Sequence, residues 1–454
     1  MNTVSEARAC PPADRRMPAL ALLSLLQFLI AIDVTVVNVA LPSIGAQFHA
    51  PTASLSWVVT GYTLVGGGLL LLGGRVTDLL GRRRMFLLGA GLFALASLAA
   101  GLAPDLPTLI GARFVQGAGE ALASPAAMSL IALLFPEPAE RAKALGVWGA
   151  ISAGGLVAGV LLSGVLTELL HWRWIFGINV PLAAAVLLIT PKLLPPDGQR
   201  VHGGRLDLPG AALLTAGPLS LVYGVLESAP SAITAGVLLL AVFVVVEART
   251  RHPLVPLSFF THRTRAVANA VTVLLSAALS TSFFLLTLYM QDVIRLGPLQ
   301  AGLAFLPFCA ALFLAISQVS RLIRMLGPKY TAIIGLAFTG AGLAWLARVP
   351  DQGDYAVDVL PGMMGIAAGM GIGLIALQNA ALHGVTENDA GTAAGLQRSV
   401  DQLGGSLGLA VLVGISMGTA GVEGFRTAFL YALVGVTTAA AGLLLAAPNE
   451  FADK

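Results

Sequence analysis

The sequence is short of the residues that keep a protein in water. Only 11% of its 454 residues are charged, while 57% are hydrophobic; a soluble globular domain carries about 25% charged residues. Too little polar surface remains to cover a water-soluble particle of this size, as the mean hydropathy of +0.86 also indicates. Cysteine is nearly absent: Cys10 in the polar N-terminal tail and Cys309 inside an apolar run provide no disulfide framework and no metal site. The six histidines are scattered, and neither a nucleotide-binding loop nor an HExxH motif occurs. Catalysis, ATP use and cofactor binding are therefore not expected.

What is present is a succession of long apolar runs. Each matches the roughly 20 residues that a helix needs to cross a bilayer, whereas a membrane β-barrel would show short alternating segments. Fourteen runs are read, near 18–41, 53–73, 85–103, 107–131, 144–167, 172–191, 208–226, 231–247, 266–290, 299–320, 331–347, 356–379, 391–418 and 426–447. The fold class is all-α, a polytopic membrane protein. Arg15 and Arg16 before the first run could imitate a signal peptide, but the run is long and many like it follow, so it reads as an uncleaved span.

A net charge of +3 and a pI near 9.0 could suggest nucleic acid, but the basic residues sit in short loops and act as topology signals. With the N-terminus inside, twenty of the 26 Lys and Arg fall on the inner side. They run from Arg8, Arg15 and Arg16 through Arg75, Arg82–Arg84, Lys192, Arg200, Arg205, Arg249 and Arg321 to Lys454. Arg113, Arg173, Arg295, Arg348 and Arg426 fall outside, and Arg398 lies within a span. Both termini are expected in the cytoplasm of a bacterium with this chain in its inner (plasma) membrane.

Two polar segments divide the chain: Lys192–Arg205, with Pro195–Pro196–Asp197–Gly198 and Gly203–Gly204, and the loop Arg249–Arg265. They give a tail over 1–17, a six-helix bundle over 18–191, and a linker with two extra spans over 192–265. A second six-helix bundle follows over 266–447, then a tail over 448–454. A weak repeat relates the bundles. Gly74–Arg75 through Gly81–Arg82–Arg83 follows the second helix of the first, and Ser320–Arg321 through Gly327–Pro328–Lys329 follows the second helix of the last.

Four motifs in order resemble the major facilitator superfamily, specifically its fourteen-spanner drug:proton antiporter branch. Ala31-Ile-Asp33-Val-Thr35-Val-Val-Asn38-Val-Ala-Leu-Pro42 resembles the first-helix motif of that branch, and Gly74-Arg-Val-Thr-Asp78-Leu-Leu-Gly81-Arg82-Arg83-Arg84 the superfamily's signature loop. Arg113-Phe-Val-Gln116-Gly117-Ala-Gly119 resembles its fourth-helix motif, and Trp172-Arg173-Trp174-Ile-Phe176 with Asn179-Val-Pro181 the start of its sixth helix. The resemblance implies two six-helix bundles plus two inserted helices, and export of organic compounds driven by the proton gradient. Three positions depart from it. The fifth-helix antiporter motif reads Gly159-Val160 and Ser163-Gly164, without its usual proline; Leu79 stands where an arginine often follows the aspartate; and Arg398 and Asp401 occupy the thirteenth helix where an amide and a basic residue are usual.

A proton-coupled exporter needs an acid in a cavity whose environment changes with conformation, because desolvation and nearby cations move a carboxyl's proton affinity in opposite directions. Asp33 is the leading candidate, about 22 Å along the first helix; the blander reading is a hydrogen bond to Thr35 or Asn38. Arg113 enters the fourth helix from outside, with Gln116 and Gly117 near it, and Glu120 lies two turns deeper on the same face. The resemblance implies that Arg113 works near Asp33. Arg398 and Asp401 are three apart and can pair on one helix face, as a static pair or as a substrate site. Gly74, Asp78, Gly81, Arg82 and Arg83 carry the gating role that the resemblance implies. Trp57, Tyr62, Phe283, Phe284, Tyr289, Met290 and Gln378 could line an aromatic drug cavity.

The expected partners are protons, a small organic substrate and the lipid bilayer, with no nucleic acid and a functional monomer. Hydrophobic or cationic drugs, dyes or antiseptics are the first reading of the cargo. The alternatives are a dedicated exporter of one natural product, in keeping with the Ala-, Gly- and Leu-rich composition of a high-GC bacterium, and a non-transporting receptor. A receptor would need a sizeable soluble domain that this sequence leaves no room for.

Overall fold

The computed structural model describes residues 13–194, 196–197, 206–251, 253–385, 390–419 and 421–446. Arg8, Cys10, Pro195, Gly198, Arg200, Gly203, Gly204, Arg205 and Lys454, used above, and the tail 448–454 lie outside the described residues. Among the described residues every regular element is helical: α1 (Ala13–Phe48), α2 (Thr52–Leu80), α3 (Arg82–Gly101), α4 (Leu106–Leu134), α5 (Pro138–Leu169), α6 (Trp174–Gly177), α7 (Asn179–Leu193), α8 (Leu208–Leu226), α9 (Pro230–Arg249), α10 (Arg263–Leu288), α11 (Pro298–Ala304), α12 (Leu306–Leu346), α13 (Leu360–Ala381), α14 (Ala390–Met417) and α15 (Val422–Ala446).

Helices satisfy their own backbone groups, which is what an apolar run must do inside lipid. Their ends are written locally. The Asp105 carboxylate caps α4 by accepting the Thr108 N–H at 2.8 Å, and bonding to Thr108 holds that carboxyl below its usual range. Asp207 caps α8 in the same way through the Gly210 N–H, also at 2.8 Å. Helices α5, α9 and α11 open on Pro138, Pro230 and Pro298, where a missing N–H forfeits no helical bond.

Thirteen helices among the described residues are long and apolar enough to cross a membrane, against fourteen expected. The difference falls in 298–346, one apolar stretch of 49 residues. Within it α12 leaves helical geometry at Gly327, with φ 78° and ψ 165°. Gly81, between α2 and α3, also has positive φ, 109°. The two turns of the sequence repeat therefore both pivot on a glycine in the region that side chains disfavour. The sixth apolar run is not continuous either: it splits into α6 and α7.

Helix α1 packs on α5 and α7, and α4 on α2 and α3. Separately, α10 packs on α13, α14 and α15, and α12 on α13 and α15. These groups meet along α2–α14 and α5–α11, and α8 of the α8–α9 hairpin stands against both α2 and α14.

Candidate functional site

Two acid–arginine pairs sit along α4. The first joins α1 to α4. Asp33 and Arg113 are 0% and 1% exposed and their side chains are in direct contact, Arg113 Nη1 donating to Asp33 Oδ2. The other carboxylate oxygen accepts from Gln116 at 3.0 Å and from Asn179 of α7 at 3.1 Å. Gln116 also donates to Ser97 of α3 at 2.8 Å. Arg113 further donates to the Gln116 carbonyl oxygen at 2.9 Å and to the Val58 backbone oxygen at 2.8 Å, and lies 4.3 Å over the Tyr62 ring. Neither Thr35 nor Asn38 reaches Asp33. Thr35 Oγ1 donates to the Leu156 carbonyl of α5 at 3.0 Å, and Asn38 to Val34 one turn back at 3.0 Å.

The second pair corrects an expectation. Arg398 does not pair with Asp401 on α14; it reaches across to Glu120 of α4 at 2.9 Å. Gln402 donates to the same Glu120 oxygen at 3.0 Å. Asp401 instead accepts from Ser276 of α10. An i, i+3 spacing permits contact, but a fully buried carboxylate one helix away offers Arg398 the stronger partner. Ser399 to the Gly67 carbonyl and Thr63 with Ser406, both at 2.5 Å, extend this α2–α14 seam.

A cavity of about 480 Å³ opens beside that second pair, at the end of the bundle where the basic residues gather. Helices α2, α4 and α5 contribute Leu71, Gly74, Arg75, Asp78, Ser124, Met128 and Trp148 to its wall. Helices α10, α13 and α14 contribute Thr272, Gln378, Gln397, Arg398 and Asp401. Of the aromatic residues suspected of lining it, none does. Tyr62, Phe284 and Tyr289 are 0% exposed, Phe283 stacks on Phe305 at 4.5 Å, and Trp57 meets Phe114 edge to face.

The opposite end is shut by backbone contact. A Cβ on Gly164 of α5 would come within 2.9 Å of the Pro298 carbonyl and 3.0 Å of Leu299 Cα of α11. Gly159 does the same against α1, with Ile32 O 2.7 Å from a Cβ there. Close approach of α5 thus persists without the proline, and α5 runs as one helix through Val160. Gly117 lets α4 reach α2, where a Cβ would meet Gly66 N at 2.9 Å.

The gating motif is not a loop. Gly74 and Asp78 belong to α2, Arg82 and Arg83 to the first turn of α3, and Gly81 alone connects them. At Gly74 a Cβ would find only Pro125, 3.9 Å away, so close helix approach is not its role. Asp78 is exposed and makes no ion pair among the described residues. The partner that sequence reasoning missed is Asp197, whose carboxylate accepts the Arg83 and Arg84 backbone N–H groups at 2.8 and 3.0 Å. Ser97, Ser276 and Gln402 were missed too, although each is a polar residue inside an apolar run.

Comparison with known proteins agrees with this geometry. A family model described as Major Facilitator Superfamily matches residues 23–409. The lincomycin resistance protein of Streptomyces lincolnensis is 48% identical, across 100% of this chain and 98% of its own length. The puromycin resistance protein pur8 of Streptomyces alboniger is 40% identical, across 91% of this chain and 84% of its own. Among solved structures, the nucleoside transporter NupG superposes with a TM-score of 0.70 at 13% identity, over 95% of this chain and 99% of NupG, a likeness of fold.

Proposed function

The chain belongs to the Major Facilitator Superfamily, and on that premise we propose that it exports hydrophobic or cationic organic compounds in exchange for protons by alternating access. The observation that carries the proposal is the cavity. Its walls come from both groups of helices, it opens at the basic end, and the far end is closed by the α5–α11 backbone contact. That is the geometry of one state of a rocking carrier whose site faces each side in turn. Exposure of Asp78, with no ion pair among the described residues, fits a gate released at the open end.

In this reading the chain crosses a bacterial inner membrane fourteen times, as a monomer, with both termini and the basic end in the cytoplasm. The 49 residues of 298–346 would measure about 73 Å as one straight helix at 1.5 Å per residue, more than twice a bilayer's hydrocarbon core of about 30 Å. A reversal at Gly327 gives two passes, and the bundles 18–191 and 266–447 then flank a linker of two helices. Asp33 or Glu120 takes a proton from the outer side, and return to the inward state releases it and admits substrate. Arg113 and Arg398 balance the charge of the two carboxylates by direct contact; Thr35, Asn38, Gln116, Gly117, Gly159 and Gly164 support the packing around them.

The test is proton movement in energised inverted vesicles challenged with cationic dyes and antibiotics. Proton release on substrate addition, lost in Asp33→Asn, is the expected result. Silence across the panel from correctly inserted protein would refute export of this class of compound. Release by one antibiotic alone would favour a dedicated exporter, in keeping with relatives each named for a single drug.

A further inference from the structure

The cavity carries a charge imbalance. At its mouth Arg75 and Asp78 offset one another. Deeper in, Arg398, whose side chain is 37% exposed, is neutralised by Glu120. Asp401 is left over: it lines the cavity, accepts a hydrogen bond from the Ser276 hydroxyl, and makes no ion pair among the described residues. Among the described residues, then, Asp401 is a carboxylate on an otherwise balanced wall, which selects a ligand bearing one positive charge.

The same wall is unusually rich in hydrogen-bonding atoms that the protein leaves unused. Arg398 Nε and Gln397 Oε1, both on residues of that wall, are buried without a partner among the described residues. Gln397 is held in place through its amide N–H to Thr272 at 2.9 Å, which fixes the side chain and with it the unpartnered oxygen. Buried donors and acceptors are nearly always satisfied in folded proteins, so two side by side on one cavity wall mark a place where a polar molecule completes the bonding. By contrast the described wall offers a single aromatic ring, Trp148, where stacking on a flat cation would call for several.

We propose that the exported compound is a monocationic amine rich in hydroxyl or amide groups, its ammonium paired with Asp401 and its polar groups bonded to Gln397 and Arg398. This narrows the export reading above and rests on it. A volume of about 480 Å³ lies within the roughly 300–1,000 Å³ that accommodates one drug-sized molecule.

The experiment is calorimetric binding to the full chain in lipid nanodiscs. The probes are lincomycin and puromycin as hydroxylated amines, and tetraphenylphosphonium as a cation with neither hydroxyl nor amide. At least one hydroxylated amine should bind about tenfold more tightly than tetraphenylphosphonium, the difference a single charge-assisted hydrogen bond can supply. Asp401→Asn should weaken that amine by a further factor of about ten, and Asp401→Glu should restore it to within about threefold. Gln397→Leu should weaken the amine severalfold and leave tetraphenylphosphonium unchanged, a split that general misfolding would not produce. Tighter binding of tetraphenylphosphonium, failure of both amines to bind, or an unchanged affinity in Asp401→Asn overturns the proposal. Proton release in vesicles driven by tetraphenylphosphonium but by neither amine would overturn it while leaving export standing; release by no compound would remove both.

Discussion

Replacing Asp33 by Asn is expected to destabilise the fold by about 3–5 kcal/mol, the usual consequence of depriving one member of a buried ion pair of its partner. Two losses combine. Arg113 is 1% exposed and stays charged at any accessible pH, so without the carboxylate it keeps the Gln116 amide oxygen, the Val58 carbonyl and the Tyr62 and Phe176 rings, none of them charged. An Asn amide also turns an N–H₂ either toward Arg113 or toward Gln116 and Asn179, which already donate at that point. On the folded-to-unfolded ratio this is a loss of roughly one hundredfold to several thousandfold. From sequence, Asp33→Asn is expected to abolish coupled efflux with folding intact; the geometry adds a stability penalty that must be separated from the transport defect. The assay is reversible unfolding in mixed micelles for the wild type, Asp33→Asn, Arg113→Gln and the double variant. Each single variant should be strongly destabilised and the double should recover most of the loss, with a coupling energy of about 2 kcal/mol or more, at the upper part of the range for directly interacting residues. An Asp33→Asn protein within about 0.5 kcal/mol of wild type, or a double variant equal to the sum of the singles, would refute the reasoning.

Four further outcomes follow from the helix connections and contacts. Gly81→Ala should lower thermal stability by about 1–3 kcal/mol through its positive φ, and its Cβ would also come within 2.5 Å of the Asp197 carboxyl; Asp197→Ala removes only a cap and should cost about 0.5–2 kcal/mol. Equal melting temperatures for Gly81→Ala and wild type would count against that account. Gly164→Val should insert normally yet fail to close the α5–α11 end, seen as a longer spin-label distance between positions 168 and 297 and as lost transport; an unchanged distance would show that the end closes by other contacts. A periplasm-dependent phosphatase fused after residue 326 should be inactive and one fused after 351 active, and two fusions of equal activity would rule out a reversal at Gly327.

The fold class was legible because charge is scarce and its placement regular, and an apolar run of helix length has one way to satisfy its backbone in lipid. Asp33 and Arg113 were legible for the same reason: each is a charge inside an apolar run, and such residues need partners. Which partners they find is a matter of three dimensions. Glu120 and Arg398 are 278 positions apart, and nothing local distinguishes that pairing from the i, i+3 contact that the spacing of Arg398 and Asp401 offers. The sequence separates apolar runs at 299–320 and 331–347, but the non-helical glycine between them, Gly327, is hinted at only by the weak echo of Gly81, and Asp197 looks like linker until its carboxylate is found on the start of α3. The aromatic residues misled because size and polarity do not say whether a ring faces a cavity or fills a core.

The enclosure of Asp33 bears on what the protein does when there is nothing to export. Its oxygens are bonded to Arg113, Gln116 and Asn179, and it is 0% exposed while the basic end stands open. In the proton-coupled reading proposed above, a proton entering or leaving Asp33 in that state has to displace one of these side chains, so each exchange would wait on a rearrangement of the network rather than on diffusion alone. In that reading, idle copies would leak the proton gradient only as fast as this network rearranges.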